Sequence, residues 1–294
     1  MFFAQVMING VLLGGIFACV ALGFSIIWGV LNVINIAHGS LVMLSAFEAY
    51  YLYHFFGVDP FVSLPICMVT MFGFGYLVQK LLINQVVRAP MLMTLLLTFG
   101  LQILFINIGI LAFSPDFRMS NPPYASMSVQ VGPLLLPDIG LATFAVAIVL
   151  TAALSLFMSR TRTGNAIRAV GMDVEAAQLM GVSIGRIYAL TYAIGAALAG
   201  AAGALVSTSY AISPNSTAES YLLTGFVICT LGGLGSVPGA LAGALAYGII
   251  ENVAAATLGP GYENVAAFAV LILVLIVRPT GMFGNPRAVS HVTF

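Results

Sequence analysis

The sequence has 294 residues, of which 61% are hydrophobic and only 6% are charged. Soluble globular domains average roughly 25% charged residues, so this composition excludes an ordinary soluble enzyme and predicts a surface that faces lipid. Nine basic residues balance nine acidic ones, and a chain without net positive charge is not expected to bind nucleic acid.

Apolar runs that are long enough to cross a bilayer recur along the chain. A spanning helix needs about 20 mainly apolar residues, and in lipid its backbone groups must be paired internally. The sequence therefore predicts an all-α fold, a polytopic transmembrane helical bundle forming a single domain over residues 1–294. We expect about nine spans, within a range of about eight to ten, at residues 4–31, 39–56, 60–84, 91–113, 138–159, 187–210, 221–236, 237–257 and 263–278.

Two places in this pattern predict broken or re-entrant segments. The run 221–236 is short for a full crossing and leads into the glycine-rich stretch Gly232–Gly239, which does not easily continue a helix. The join Asn32–Gly39 has the same character.

Basic residues in short loops predict the orientation of the bundle. With the spans above, one side of the membrane receives Lys80, Arg88, the loop 160–186, Arg278 and Arg287. That side is predicted to be the cytoplasm, which places the N-terminus outside and the C-terminus inside. The loops 114–137 and 211–219 then lie on the opposite side.

Polar side chains inside the predicted spans are expensive in lipid and indicate either function or hydrogen bonding between helices. Thr94, Thr98 and Gln102 recur every four residues and so form one polar stripe. The candidates for a translocation path are Thr94, Thr98, Gln102, Asn35, His38, Glu48 and Glu251. Structural pairing is the alternative for each of them.

The three cysteines lie in apolar runs and show no metal-ligand spacing. Cys19, Cys67 and Cys229 form no CxxC or Cys/His pattern, so we interpret them as helix-packing residues. No metal site or disulfide framework is expected.

The loop 160–186 is the most informative polar stretch. Within it, residues 172–180 are typical of a short helix, because Asp173 is a suitable N-cap and Glu175 favours the positive helix start. Gly181 is suited to end that helix. A solvated connector without a partner is the alternative.

Several motifs resemble those of one transporter family. Glu175, Ala176 and Ala177, followed after three residues by Gly181, resemble the EAA-xxx-G motif of ABC-importer permeases. Further stretches resemble, in order, segments of LivH-type branched-chain amino acid permeases: Asn35–Gly39, Thr163–Ala169, Gly232–Gly239 and Arg278–Gly281. The resemblance implies a permease domain with a coupling helix that docks on an ATPase through Asp173, Glu175, Ala176, Ala177, Gly181 and the nearby Arg168.

The same resemblance implies partners and a location. These are a second permease subunit, related or identical, two cytoplasmic ATP-binding subunits that carry ATP and magnesium, and a periplasmic solute-binding protein, all at a bacterial inner membrane. The chain itself has no G-x-x-x-x-G-K-[ST] phosphate loop, so we expect it to be neither an enzyme nor a cofactor carrier.

The resemblance favours branched-chain or other apolar amino acids as the solute. Relatives of similar sequence carry urea, short amides or aromatic acids, which stay alternatives. A secondary transporter that uses Glu48 and Glu251 for ion coupling is a rival class. An intramembrane protease is disfavoured, because the aspartates fall in loops or at span ends.

Overall fold

The computed structural model describes residues 2–87, 89–259, 261–278 and 281–283. Over these residues the fold is almost entirely helical. The helices are α1 (Phe2–Leu31), α2 (His38–Phe56), α3 (Pro60–Val78), α4 (Asn84–Val86), α5 (Met91–Phe113), α6 (Asp138–Arg160), α7 (Arg162–Met172), α8 (Val174–Leu179), α9 (Ile184–Ser209), α10 (Pro214–Gly232), α11 (Val237–Leu258) and α12 (Glu263–Val277). A π-helical turn, Gln79–Ile83, joins α3 to α4, and a small hairpin pairs β1 (Ser128–Val131) with β2 (Leu134–Pro137).

The predicted helical membrane bundle is confirmed. Six segments of the described chain are long and apolar enough to cross a membrane: α1, α3 with its continuation to Val86, α5, α6, α9 and α11. The remaining long helices are α2 and α10, with 19 residues each, and the apolar α12, with 15. Together these helices correspond one to one with the predicted spans.

The centre of the bundle is formed by α1 and α9, which are buried along most of their length. The two helices run antiparallel, because Gly23 packs near Leu198 whereas Ile27 packs near Gly195. A Cβ at Gly195 would lie 2.8 Å from the carbonyl oxygen of Gly23. Glycine at this crossing therefore allows the backbones to approach more closely than any larger residue would.

The chain is built as two inverted halves around this central pair. In the first half, α3 packs antiparallel on α9, with Gly75 against Ala196 and Cys67 against Gly200. In the second half, α11 packs in the same antiparallel way on α1. Since α1 and α9 are themselves antiparallel, the order α1–α2–α3 is repeated upside down by α9–α10–α11.

The helix α2 begins inside the bundle, which confirms the predicted break at Asn32–Gly39. Residues 32–37 are non-helical after α1 ends, and Asn32 adopts a positive φ of 52°. The His38 Nε2 atom then lies 3.0 Å from the carbonyl oxygen of Val20. Val20 precedes the end of α1 by 11 residues, so α2 starts about 16 Å inside that end.

The helix α10 also begins inside the bundle, at a place the sequence did not indicate. Pro214 and Met43 both pack against Gly109 of α5. Met43 precedes the end of α2 by 13 residues, so α10 starts about 20 Å below that end. The start predicted at residue 221 was wrong, because Pro214 suits the first helical position and Thr217 and Ala218 after it are buried within the bundle.

The glycine-rich stretch at 232–239 is a turn and not the second break. Gly233 and Gly235 have positive φ values of 99° and 81°, which turn the chain tightly from α10 into α11. An added Cβ at Gly29, near the end of α1, would lie 2.6 Å from the Gly235 Cα. The turn therefore sits at an end of the bundle, and the second discontinuity is residues 210–213.

The two ends of the bundle carry different elements, and each is held by its own polar contact. At the basic end, which carries α7 and α8, the Asn84 side chain donates to the Gly185 carbonyl at 3.4 Å. At the hairpin end, which carries β1 and β2, the Tyr124 hydroxyl donates to Asp59 at 2.7 Å. Burial and this bond raise the pKa of Tyr124, so the hydroxyl stays protonated as the donor. Two of the basic residues used for orientation, Arg88 and Arg287, lie outside the described residues.

Candidate functional site

The first candidate surface is formed by α7 and α8 at the basic end. Thr161 caps α7 by accepting from the Gly164 backbone N–H at 2.9 Å. Gly164 fits against the carbonyl oxygen of Phe157, where a larger residue would clash, so α7 folds back directly on the end of α6. At its other end, Gly171 lies close to Gly29, where an added Cβ would be 2.8 Å from the Gly29 carbonyl oxygen. The helix α7 is therefore fixed to both α6 and α1.

The short helix α8 has the predicted caps. The Asp173 carboxylate accepts from the Ala176 backbone N–H at 2.9 Å, which satisfies one of the free donors at a helix start. Gly181 has a φ of 83° and ends the turn through its N–H bond to Gln178 at 3.0 Å. Nothing lies within 4 Å of where its Cβ would be. Gly181 is thus required for its backbone conformation and not to avoid a clash.

One face of α8 differs from the expectation that Ala176 and Ala177 both contact an ATPase. Ala177 is buried among the core residues of its own chain, whereas Glu175 and Ala176 are exposed. Arg168 on α7 is also exposed and donates to Asn165 at 2.6 Å. Ala176, Glu175 and Arg168 are therefore available to a partner, and Ala177 instead fixes α8 to the bundle.

An apolar patch surrounds these residues and was missed in the sequence. Met172, Leu179 and Met180 are 86%, 88% and 84% exposed. Large apolar side chains this exposed at a polar end of a protein are candidates for contact with a partner. The sequence feature that could have revealed them is the presence of large apolar residues in an otherwise charged loop.

The second candidate region surrounds the break at 32–37. The Tyr192 hydroxyl of α9 donates to the Asn35 side-chain oxygen at 3.3 Å. The Thr98 hydroxyl of α5 lies 3.0 Å from the Ile34 carbonyl oxygen. The structure thus brings Asn35, Thr98 and His38 together, and it adds Tyr192, which the sequence did not indicate.

The predicted stripe on α5 lies on one buried face. Thr94, Thr98 and Gln102 are all buried within the chain, and Thr94 donates to the Met91 carbonyl at 2.8 Å. The stripe therefore faces the break and not the outer surface of α5. Lining of a translocation path stays a prediction for these residues.

The two membrane carboxylates lie apart from this cluster. Glu48 on α2 accepts from the Thr70 hydroxyl of α3 at 2.8 Å. Glu251 on α11 lines a polar cavity beside the second break, together with Glu263. These carboxylates do not form a pair, as an ion-coupling site between Glu48 and Glu251 would require.

The three cysteines lie inside the bundle. Cys19, Cys67 and Cys229 are free and buried, as expected for packing residues. Over the described ranges, no group of three or more His, Cys, Asp or Glu side chains is arranged to hold a metal ion.

Comparison with known proteins gives matches over nearly the whole chain. Residues 6–277 match the family model described as branched-chain amino acid transport system / permease component. The high-affinity branched-chain amino acid transport system permease protein BraD of Pseudomonas aeruginosa is 30% identical, with 97% of each chain covered. LivH of Escherichia coli is 30% identical over 98% of this chain and 97% of its own. A probable LivH of Methanocaldococcus jannaschii is 27% identical over 94% and 91%, respectively. No solved structure gives a significant match.

Proposed function

The chain belongs to the family of branched-chain amino acid transport permease components, and we propose that it is the membrane-spanning permease subunit of an ATP-binding-cassette importer. It moves branched-chain or other apolar amino acids into the cytoplasm. The observation that carries this proposal is the capped helix α8 at the basic end, with the exposed apolar patch of Met172, Leu179 and Met180.

The proposal includes the partners that such a subunit needs. A second, related permease completes the pore. Two ATP-binding subunits, which carry ATP and magnesium, complete the importer, and one of them docks on α8 and the apolar patch of this chain. The basic end then faces the cytoplasm and the hairpin end the periplasm, where a solute-binding protein delivers the amino acid to the loops 114–137 and 211–219. The N-terminus is outside and the C-terminus inside a bacterial inner membrane, in keeping with the basic loops.

The fold supports a direct mechanical link from α8 to the centre of the bundle. Ala177 is buried in the same core as Ile184 and Ile187 at the start of α9, and the Val182 N–H bonds to the Ala177 carbonyl at 3.1 Å. Further along α9, Tyr192 bonds to Asn35 in the break before α2. A displacement of α8 by the ATP-binding subunit would therefore pass through the short turn 180–183 and along α9 to the break.

The proposed solute class is inferred from the relatives and from the small number of charged groups in the membrane helices. Apolar amino acids need few charged groups along their path, and the described membrane helices contain few. Urea, short amides and aromatic acids are the competing solutes, and a competition assay separates them. In that assay, unlabelled leucine, isoleucine or valine in excess should block uptake of labelled leucine, whereas urea should not.

Reconstitution tests the proposal against a secondary transporter. The permease is placed in proteoliposomes either with its second permease, ATP-binding subunits and binding protein, or alone. We expect leucine uptake into the vesicles only with the complete assembly. ATP and magnesium must be enclosed in the vesicles, on the same side as the ATP-binding subunits. Ion-driven leucine uptake by the chain alone would overturn the importer assignment and favour the secondary transporter.

A further inference from the structure

A polar cavity of about 280 Å³ lies at the second break, where α9 ends and α10 begins. This volume is near the lower bound of about 300 Å³ that is usual for small-molecule sites. The groups that line it include Ser216, Thr217, Tyr221, Glu251, Glu263 and Asn264. The sequence pointed to Glu251 alone among them, because the others fall in segments that read as loop or span end.

One wall of the cavity is acidic and unsatisfied. The Glu251 Oε2 atom is buried and has no hydrogen-bond partner among the described residues, and Glu263 lines the same cavity. A buried carboxylate without a partner is strongly unfavourable within a membrane bundle. A positively charged group in the cavity removes this penalty, so the acidic wall is suited to a ligand cation.

The opposite wall is the first turn of α10. Ser216 and Thr217 lie in that turn and line the cavity. The Ser216 hydroxyl bonds to that of Ser213 at 2.6 Å, and the Thr217 hydroxyl accepts from the Ser213 N–H at 3.0 Å, so the groups left for a ligand are backbone N–H groups. The first N–H groups of a helix have no partner within the helix, and the helix dipole makes this end positive. Discontinuous membrane helices in transporters direct such ends toward anionic groups of solutes. This wall is suited to a carboxylate.

Both walls line one cavity that can hold a small zwitterion. The Thr224 hydroxyl lies 3.5 Å from that of Tyr247, which pairs these positions of α10 and the antiparallel α11. One turn further along both helices, this pairing places Glu251 level with Ser220. Ser216 is one more turn away, about 5.4 Å along the axis. Glu251 and the first turn of α10 thus lie at different levels of a single cavity of about 280 Å³, which leaves room for an ammonium at one and a carboxylate at the other.

We propose that this cavity binds the zwitterionic head of an α-amino acid, with its ammonium at Glu251 and its carboxylate at the first turn of α10. The inference rests on the proposed function and names a binding site for its solute. Phe17, whose ring packs edge-on to Tyr247 at 5.2 Å, provides an apolar wall for the side chain. Tyr210 also lines a second cavity, of about 370 Å³, whose lining includes Met119 and Ala125 near the hairpin end. The site therefore lies close to the end at which the proposed binding protein delivers solute.

Cysteine protection tests the site directly. Ser216→Cys is introduced into the complete transporter and reacted with a small thiol reagent; the natural cysteines are buried and give little background. We expect leucine to slow the reaction several-fold. The two half-ligands, 3-methylbutylamine and 4-methylpentanoate, should protect much less, because each lacks one of the charged groups. Thr257→Cys, exposed on α11 and away from the cavity, should react equally with and without leucine.

Transport by two variants at Glu251 completes the test. Glu251→Gln should lower leucine uptake about tenfold or more, because a charge-assisted hydrogen bond is lost, and Glu251→Asp should retain more uptake than Glu251→Gln. If leucine fails to protect Ser216→Cys while the wild-type transporter moves leucine, the site is wrong and the proposed function stands. If the complete wild-type assembly does not move leucine, the proposed function itself fails. Should Glu251→Gln not assemble, the protection assay decides alone.

Discussion

The exposed side chain of Leu179 offers a quantitative test of how the chain binds its ATP-binding subunit. Leu179 lies at the end of α8 and is 88% exposed. Its truncation in Leu179→Ala removes little internal packing, so the bundle should fold as before. In a complex, the same side chain would lie in the groove that receives α8. The change should therefore weaken docking without a comparable loss of stability.

The size of the effect follows from the apolar surface involved. Leucine exceeds alanine by three carbons, and each buried methylene contributes about 0.8 kcal/mol. Since nearly all of the Leu179 side chain is available for burial, the loss is about 2 kcal/mol. This corresponds to roughly a 30-fold increase in Kd. Ala177→Arg is a poorer test of docking, because Ala177 is buried in its own chain and the change disturbs α8 itself.

The assay is a titration of the permease in lipid nanodiscs with purified ATP-binding subunit, followed by leucine uptake with the same variants. Leu111→Ala is the matched control, because Leu111 on α5 is equally exposed, at 88%, but lies near the hairpin end. It should leave the Kd for the ATP-binding subunit unchanged. An unaltered Kd in Leu179→Ala, measured with a folded protein, would refute the assignment of α8 as the docking helix.

Three further predictions concern topology, packing and the first break. Cysteines at the exposed positions Ser126 and Ser183 should be labelled from opposite sides of the membrane; labelling of both from the periplasm would contradict the orientation. Gly39→Ala should lower the free energy of unfolding by about 1–3 kcal/mol, because the new Cβ meets the backbone of α10. Gly100→Ala is the control and should leave the free energy of unfolding unchanged, because Gly100 faces open space on α5. Thermal unfolding in detergent measures both variants. Thr98→Val should destabilise the chain by about 1 kcal/mol through loss of its bond to the break, and Thr98→Ser should be close to wild type in the same measurement.

The membrane helices were predictable because lipid imposes a simple rule on sequence. Uninterrupted apolar runs gave most span limits within a few residues, and α5 was predicted over its observed range, Met91–Phe113. The caps of α8 were equally accessible, since Asp173 and Gly181 act through local backbone geometry. Local signals of this kind do not depend on how the helices pack.

Tertiary placement was the part that the sequence did not reveal. The second break lies at residues 210–213, which contain no glycine or proline, whereas the glycine-rich stretch 232–239 proved to be a turn. The polar start of α10 was interpreted as a loop because its burial depends on α5 and α2 beside it. Ala177 was expected on a docking surface for the same reason: helix periodicity does not tell which face the rest of the chain covers.

The two breaks share one architecture but differ in what their polar groups contact. At the first break, the protein supplies bonds to the unwound segment itself, from Thr98 to the Ile34 carbonyl and from Tyr192 to Asn35. At the second, a cavity is left open and the Glu251 Oε2 atom has no bond within the described chain. The first break also has buried polar atoms without a partner among the described residues, Asn35 Nδ2 and His38 Nδ1, but its bond to Tyr192 connects it directly to α9. The second break has an unsatisfied carboxylate beside a cavity. Under the proposed function, the first break therefore receives force from α9 and the second binds the solute.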